Sequence, residues 1–255
     1  MSSLFLVTLR FEAEKLRRSN VVRIATLILV FFPVALAAGG VTALRTDLQG
    51  AFAAKASLLV QGEGWNAYLG MCAQVLSVGV FLGAGFVCAW TFGREFEQNT
   101  IVNLFGLSVG RRDFALAKCL TFIAWVLIIS VFVTIVTLVV GVALGPMSGS
   151  PGGVWLPFLV SVLSGLNALP LAWVATVRRS YLPAIAVLLG IVVMVQLLMI
   201  IGVGAWFPWS VPGLLAGFSP TLRPTFIQCL LPLVVAVISI WATSLTWARL
   251  ELGRS

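Results

Sequence analysis

The sequence predicts an all-α integral membrane fold with six transmembrane helices, and three observations carry that reading. Six stretches of 21 to 25 residues contain no Asp, Glu, Lys, Arg or His. The 255-residue chain is 60% hydrophobic and only 9% charged, with a mean hydropathy of +1.10, outside the range of ordinary globular domains. Its Lys and Arg residues fall almost entirely on every second connection between the apolar stretches, the asymmetry that orients a membrane protein.

The spans are read as residues 24–44, 69–92, 120–144, 155–177, 182–206 and 226–247. At a rise of 1.5 Å per residue they measure about 31 to 38 Å, enough to cross a hydrocarbon core of about 30 Å, some with tilt. A soluble helix of that length would need a polar stripe to meet water, and no sustained stripe is visible. The bilayer is therefore their solvent.

Residues 1–23 precede the first span. Over residues 3–18, Phe5, Leu9, Ala13 and Leu16 share one helical face while Arg10, Arg17 and Arg18 cluster elsewhere, which predicts an amphipathic helix lying along the inner surface. Glu14 and Arg18 stand at i,i+4 and support it. The alternative is a simple basic stop before a membrane anchor. Apolar residues come first and charges after, and no small-residue cleavage site precedes span 1, so no removable signal peptide is expected.

Residues 45–66 read as an outer loop with a helix across 48–60, and 145–153, rich in Gly and Pro, as a short outer link. Arg178, Arg179 and Ser180 alone separate spans 4 and 5, which predicts a tight hairpin at the inner face, with Tyr181 at the interface and Pro183 in the first helical turn. The apolar stretch 206–220 is broken by Pro208, Pro212 and Pro220. It is read as re-entrant outer helices packed against protein before span 6. Residues 248–255 form a cytoplasmic tail.

Thirteen basic residues fall on the predicted inner side, and three, Arg45, Lys55 and Arg223, on the outer side. This places both termini in the cytoplasm, and a multi-pass protein of the cytoplasmic (inner) membrane is expected. The net charge of +8 and pI near 10.2 thus belong to anionic headgroups, and no nucleic-acid partner is expected. Cys72, Cys88, Cys119 and Cys229 share no CxxC spacing, and the chain has no His, so no metal site is expected. No GxxxxGK[ST] phosphate cradle occurs. The eight carboxylates all lie outside the predicted spans, which provisions intramembrane acid–base chemistry poorly and sets the chain apart from proton-coupled carriers. No catalytic residue is assigned.

The most informative polar segment joins spans 2 and 3, within residues 93–118. Asn99 or Thr100 can cap a short helix, Ile101, Leu104 and Phe105 form an i,i+3,i+4 apolar face, and Gly106 and Gly110 can end it. Here the chain resembles the permease subunits of type-2 ABC exporters, of the six-span kind that works with a separate ATPase subunit. In that family an acidic and basic cluster after span 2 leads to a Thr, a run of leucines, a Pro, a basic patch and a Lys entering span 3. Glu95, Glu97, Thr100, Ile101, Leu104, Leu107, Arg111 and Lys118 follow that order, while Ser108 stands where the family usually has Pro and Gly110 where a Ser is common. The resemblance implies that this segment is a cytoplasmic coupling helix seated on the ATPase, with Arg94, Glu95, Glu97, Thr100, Ile101, Leu104, Phe105 and Arg111 as coupling residues. Glu95 and Glu97 are assigned salt links, either to the N-terminal helix or to the ATPase. The resemblance also implies ATP and Mg²⁺ on the partner ATPase, none in this chain, and a second permease subunit, the same chain or a sister.

Within the spans, Asn167, Pro170 and Gln196 either line a translocation path or serve packing, and Gly79 and Gly83 form a GxxxG pair for close helix approach. The function that follows is the membrane-spanning subunit of an ATP-driven exporter for an amphipathic or hydrophobic substrate: a lipid, a drug or an antimicrobial peptide. The alternatives are an ATPase-independent secondary carrier and a membrane anchor or sensor scaffold. Membrane lipids are expected partners throughout.

Overall fold

The structure, a computed structural model, describes residues 3–46, 50, 54, 57, 62–98, 110–219 and 221–250. Among these residues the chain is all-helical, and six helical segments are long and apolar enough to cross a membrane. In chain order the helices are α1 (Ser3–Arg18), α2 (Asn20–Arg45), α3 (Gly64–Glu97), α4 (Arg111–Ala143), α5 (Trp155–Leu166), α6 (Pro170–Arg178), α7 (Tyr181–Ile201), α8 (Val211–Leu215) and α9 (Phe226–Ala248). Single 3₁₀ turns, Pro151–Val154 and Gly204–Trp206, precede α5 and follow α7.

Four of the six crossings differ in shape from the apolar runs that predict them. The fourth is two helices: α5 ends at Leu166, the backbone turns through residues 167–169, and α6 restarts at Pro170. Proline lacks an N–H and is best placed in a first helical turn, so a helix restarts there more readily than it continues. The fifth stops at Ile201, because Gly202 at φ +84° terminates α7 with its N–H bonded back to Leu198 and Met199. The second and third helices run beyond their apolar runs, so that Arg94, Glu95 and Glu97 extend α3 and Lys118 lies in the second turn of α4.

Helix α3 lies against α2, α5, α6 and α7, while α4 lies against α1, α2, α5 and α9. Buried indoles stitch neighbours together, since a Trp N–H taken from water needs an acceptor. Trp125 on α4 donates to Thr26 Oγ1 on α2 at 3.0 Å, and Trp247 on α9 donates to Thr176 Oγ1 on α6 at 3.1 Å. Gly83 faces Leu29, whose Cδ2 would lie 2.6 Å from an added Cβ, and Gly79 faces Pro33. The GxxxG pair thus sits in the α2–α3 contact of one chain. By contrast α7 buries only Ala184 and Leu188.

Helix starts follow the capping residues. Ser19 accepts from Val22 N–H at the start of α2, Ser180 from Leu182 N–H at the start of α7, and Thr225 with Gln228 forms a capping box on α9. Arg179, at φ +51°, turns the chain sharply between α6 and α7. This turn, α1, the end of α3, the start of α4 and the end of α9 gather at one end of the bundle, here the basic end.

The most buried stripe of α1 is Thr8, Glu12 and Leu16; of the face read from the sequence, Leu16 is buried, Phe5 and Leu9 are half-buried and Ala13 is exposed. Glu12 on that stripe pairs with Lys118 of the bundle. Four coupling positions assigned from sequence, Thr100, Ile101, Leu104 and Phe105, lie outside the described residues, as does most of the 48–60 helix.

Candidate functional site

The basic end holds four ionisable side chains in one cluster. Lys118 on α4 and Glu95 on α3 are each 1% exposed, and Glu12 on α1 is 2% exposed. Lys118 Nζ lies 2.7 Å from Glu95 Oε1 and 2.9 Å from Glu12 Oε2. Lys15, one turn along α1 from Glu12, donates to the same Glu95 oxygen and stands 3.7 Å from Glu12 Oε1. The two carboxylates and two ammonium groups cancel one another, with the Arg94 guanidinium acting on both carboxylates from further away, and charge balance is the condition under which charges tolerate burial.

Local sequence explains the assembly. Glu12 and Lys15 are an i,i+3 pair on α1, so a single helix face carries both signs. Lys118 sits seven residues into α4, far enough along that its ammonium passes between Phe92 and Phe114, 5.6 Å from each ring centroid. Phe114 stacks on Trp247 of α9 at 5.7 Å, and Phe96 meets the same indole edge-on at 5.9 Å. An aromatic layer therefore seals the cluster from the α9 side. On the open side of α1, Glu14 accepts from Arg17 and Arg18, which hold its carboxyl below the usual range.

Two further contacts fix the end of α3. Glu97 accepts from the Ser180 hydroxyl and, at 3.4 Å, from Tyr181 N–H, so a carboxylate sits at the positive start of α7. One turn earlier Gly93 allows Tyr181 to pass: an added Cβ would lie 2.4 Å from the Tyr181 nitrogen. Arg94 stacks on Trp90, 4.0 Å from the ring centroid. Arg111, at the start of α4, donates to the Leu250 carbonyl beyond α9.

The remaining sequence-assigned positions do not converge. Asn167, 1% exposed, sits in the α5–α6 break and donates through Nδ2 to Pro208 O at 3.0 Å, while its own carbonyl accepts from Trp209 Nε1 at 2.9 Å. It joins the broken crossing to the segment before α8. Pro170 begins α6 beside it. Gln196, on α7, instead lines a cavity of about 180 Å³ with Ser77, Phe81, Met199, Trp209 and Phe218. Glu12 and Lys15 were not singled out by sequence reasoning. Their signal was present as an acidic residue in the i,i+4 stripe that also holds Thr8 and Leu16.

The ammonium groups of the cluster are turned onto its two carboxylates. What the cluster can do is hold. The last turn of α3 is fixed to α1 and to the start of α7, and the first two turns of α4 to α1 and α9. A displacement of the connection between α3 and α4 is thereby shared among five helices.

Six apolar crossings gathered around such a junction define a multi-pass membrane protein. The chain belongs to the ABC-2 family of transporter proteins, whose pattern matches residues 8–196, a stretch that contains all four members of the ion cluster. It is 27% identical over 169 residues to the bacitracin transport permease protein BCRB of Bacillus licheniformis, an overlap covering 60% of this chain and 76% of that protein. It is thus a permease-type membrane subunit of an ABC transporter rather than an enzyme, and membership of the family implies partnership with an ABC ATPase.

Proposed function

We propose that this chain is the membrane half of an ATP-driven exporter, operating as a pair of six-span subunits with two ATPase subunits that bind ATP and Mg²⁺. The observation that carries the reading is the junction at the basic end. Both helices flanking residues 99–109 are locked there to α1, and through Glu97 and Arg111 to α7 and the end of α9. A short helix gripped by a nucleotide-driven partner transmits its displacement only if its flanking helices move as a unit, and the neutral buried cluster makes them one. The thirteen-to-three distribution of cations supports a cytoplasmic junction, where an ATPase can reach it.

The cargo is amphipathic or hydrophobic: a lipid, a drug or an antimicrobial peptide. The largely apolar cavity beside Gln196 supports this, and the name of the bacitracin transport relative makes bacitracin the first compound to test.

The test is co-purification and transport with Leu104→Asp and Phe105→Asp together. The tagged chain in mild detergent should bring down an ATPase and, in vesicles, support ATP-dependent transport. The double variant should insert normally yet lose both the ATPase and transport. Retained assembly and transport in that variant, or wild-type transport without ATP, would contradict the proposal.

A further inference from the structure

An open groove of about 840 Å³ runs along the outside of the bundle at the basic end, between α1, α2 and α4. Its size is that of a small-molecule site. Leu27, Leu120 and Ile128, between 43% and 59% exposed, form its outward walls. The Trp125 indole lies at its floor, with its N–H already donated to Thr26 Oγ1. The rim is different in kind. Arg17 and Arg23 stand at the α1–α2 turn, and no carboxylate lines the groove.

The rim arginines are held near one another and remain cationic as a group. Arg23 Nε donates to the Arg17 carbonyl at 2.9 Å, leaving most of its five N–H donors for another partner. Arg17 and Arg18 share the single carboxylate of Glu14, so three guanidinium groups face one negative charge. A guanidinium fork matches the oxygens of a phosphate. Below the rim the walls offer no polar atom that such a ligand would leave unpaired.

We propose that this groove is a binding site for an anionic phospholipid of the surrounding leaflet, with its phosphate on Arg17 and Arg23 and an acyl chain along Leu27, Leu120, Ala124 and Ile128. The order of the site, cations at the α1–α2 turn and apolar wall along the crossings, is the order of a lipid standing in its own leaflet. A second copy of the chain fits less well. The protein carries sixteen Lys and Arg against eight carboxylates, and Glu12 and Glu95 are already buried, so another copy meets this rim with like charge. A lipid seated here would brace α1, which carries Glu12 and Lys15, against α2 and α4. The site stands independently of the ATPase pairing, and its test needs no transport.

The experiment is native mass spectrometry of the delipidated full chain titrated with phosphatidylglycerol or phosphatidylcholine. Wild type should hold one phosphatidylglycerol tightly, and Arg17→Gln with Arg23→Gln should weaken it about 25-fold, each basic side chain near a membrane surface contributing about fivefold. Ala124→Trp, which fills the wall and leaves the charge, should also lower occupancy. Arg10→Gln, outside the groove, should leave binding unchanged. Equal retention of the two lipids, an Arg10→Gln loss as large as that of the rim pair, or a stable dimer whose formation displaces the lipid would each overturn the assignment.

Discussion

Replacing Lys118 by Met removes one cation from a site where four charges cancel. The stem volume is kept, so the change isolates the ammonium group. Glu12 and Glu95 would then face each other at 2% and 1% exposure, with Lys15 as an ion-pair partner to both and Arg94 acting on them from further away. The cluster goes from neutral to a net charge of −1. Removing one partner of a buried ion pair costs about 3–5 kcal/mol, because the other is left uncompensated. Against a typical total of about 5–15 kcal/mol this is about a fifth or more of the stability of a domain. The nine tryptophans, two of them within the layers around α4, make heat unfolding in detergent micelles measurable by fluorescence. The decisive comparison is Glu12→Gln combined with Lys118→Met, which restores neutrality through Lys15 and Glu95. It should recover part of the loss, a coupling of about 0.5–3 kcal/mol. If Lys118→Met alone lies within about 1 kcal/mol of wild type, or if adding Glu12→Gln deepens the loss, the cluster does not hold the junction as described.

Other changes test the geometry around it. Gly93→Ala places a Cβ against the Tyr181 backbone and should destabilise by about 1–3 kcal/mol. Gly70→Ala, whose Cβ meets no atom within 4 Å, should be neutral or stabilising by up to about 1 kcal/mol through helix propensity; equal effects would discredit the close approach. Asn167→Leu removes the Nδ2 donor and leaves the Pro208 carbonyl only the longer bond from Val211 N–H at 3.4 Å, and should cost about 0.5–1.5 kcal/mol. Thermal unfolding checks it, and no loss would show that the bridge to Pro208 carries little.

The six crossings were legible because runs of more than twenty residues without a charge have one physical solution, a helix in lipid. Hydropathy, however, marks lipid thickness and not helix length. It could not show that α3 and α4 continue into polar sequence as far as Glu97 and back to Arg111. Nor does it fall at Asn167–Leu169, where the fourth crossing breaks. The turn there is set partly by Pro170, a local signal, and partly by a bridge to Pro208, some forty residues onward, which leaves no local trace. The ion cluster was half visible. Glu95 and Lys118 stand out in a segment rich in charge, but Glu12 and Lys15 look like ordinary surface residues of an amphipathic helix until α1 is docked. The segment 99–109, where the sequence speaks most clearly through its family resemblance, lies outside the described residues.

The ion cluster also bears on how the protein is made. Lys15 and Glu95 are 80 residues apart, and at about 5–20 residues per second the ribosome needs on the order of ten seconds to supply the second after the first. Throughout that interval Glu12 and Lys15 have only each other as partners, and water and headgroups must solvate them. Only when the third crossing has emerged with Lys118 can the leading helix swing into place. Its docking thus waits on residues of two later crossings, Glu95 and Lys118.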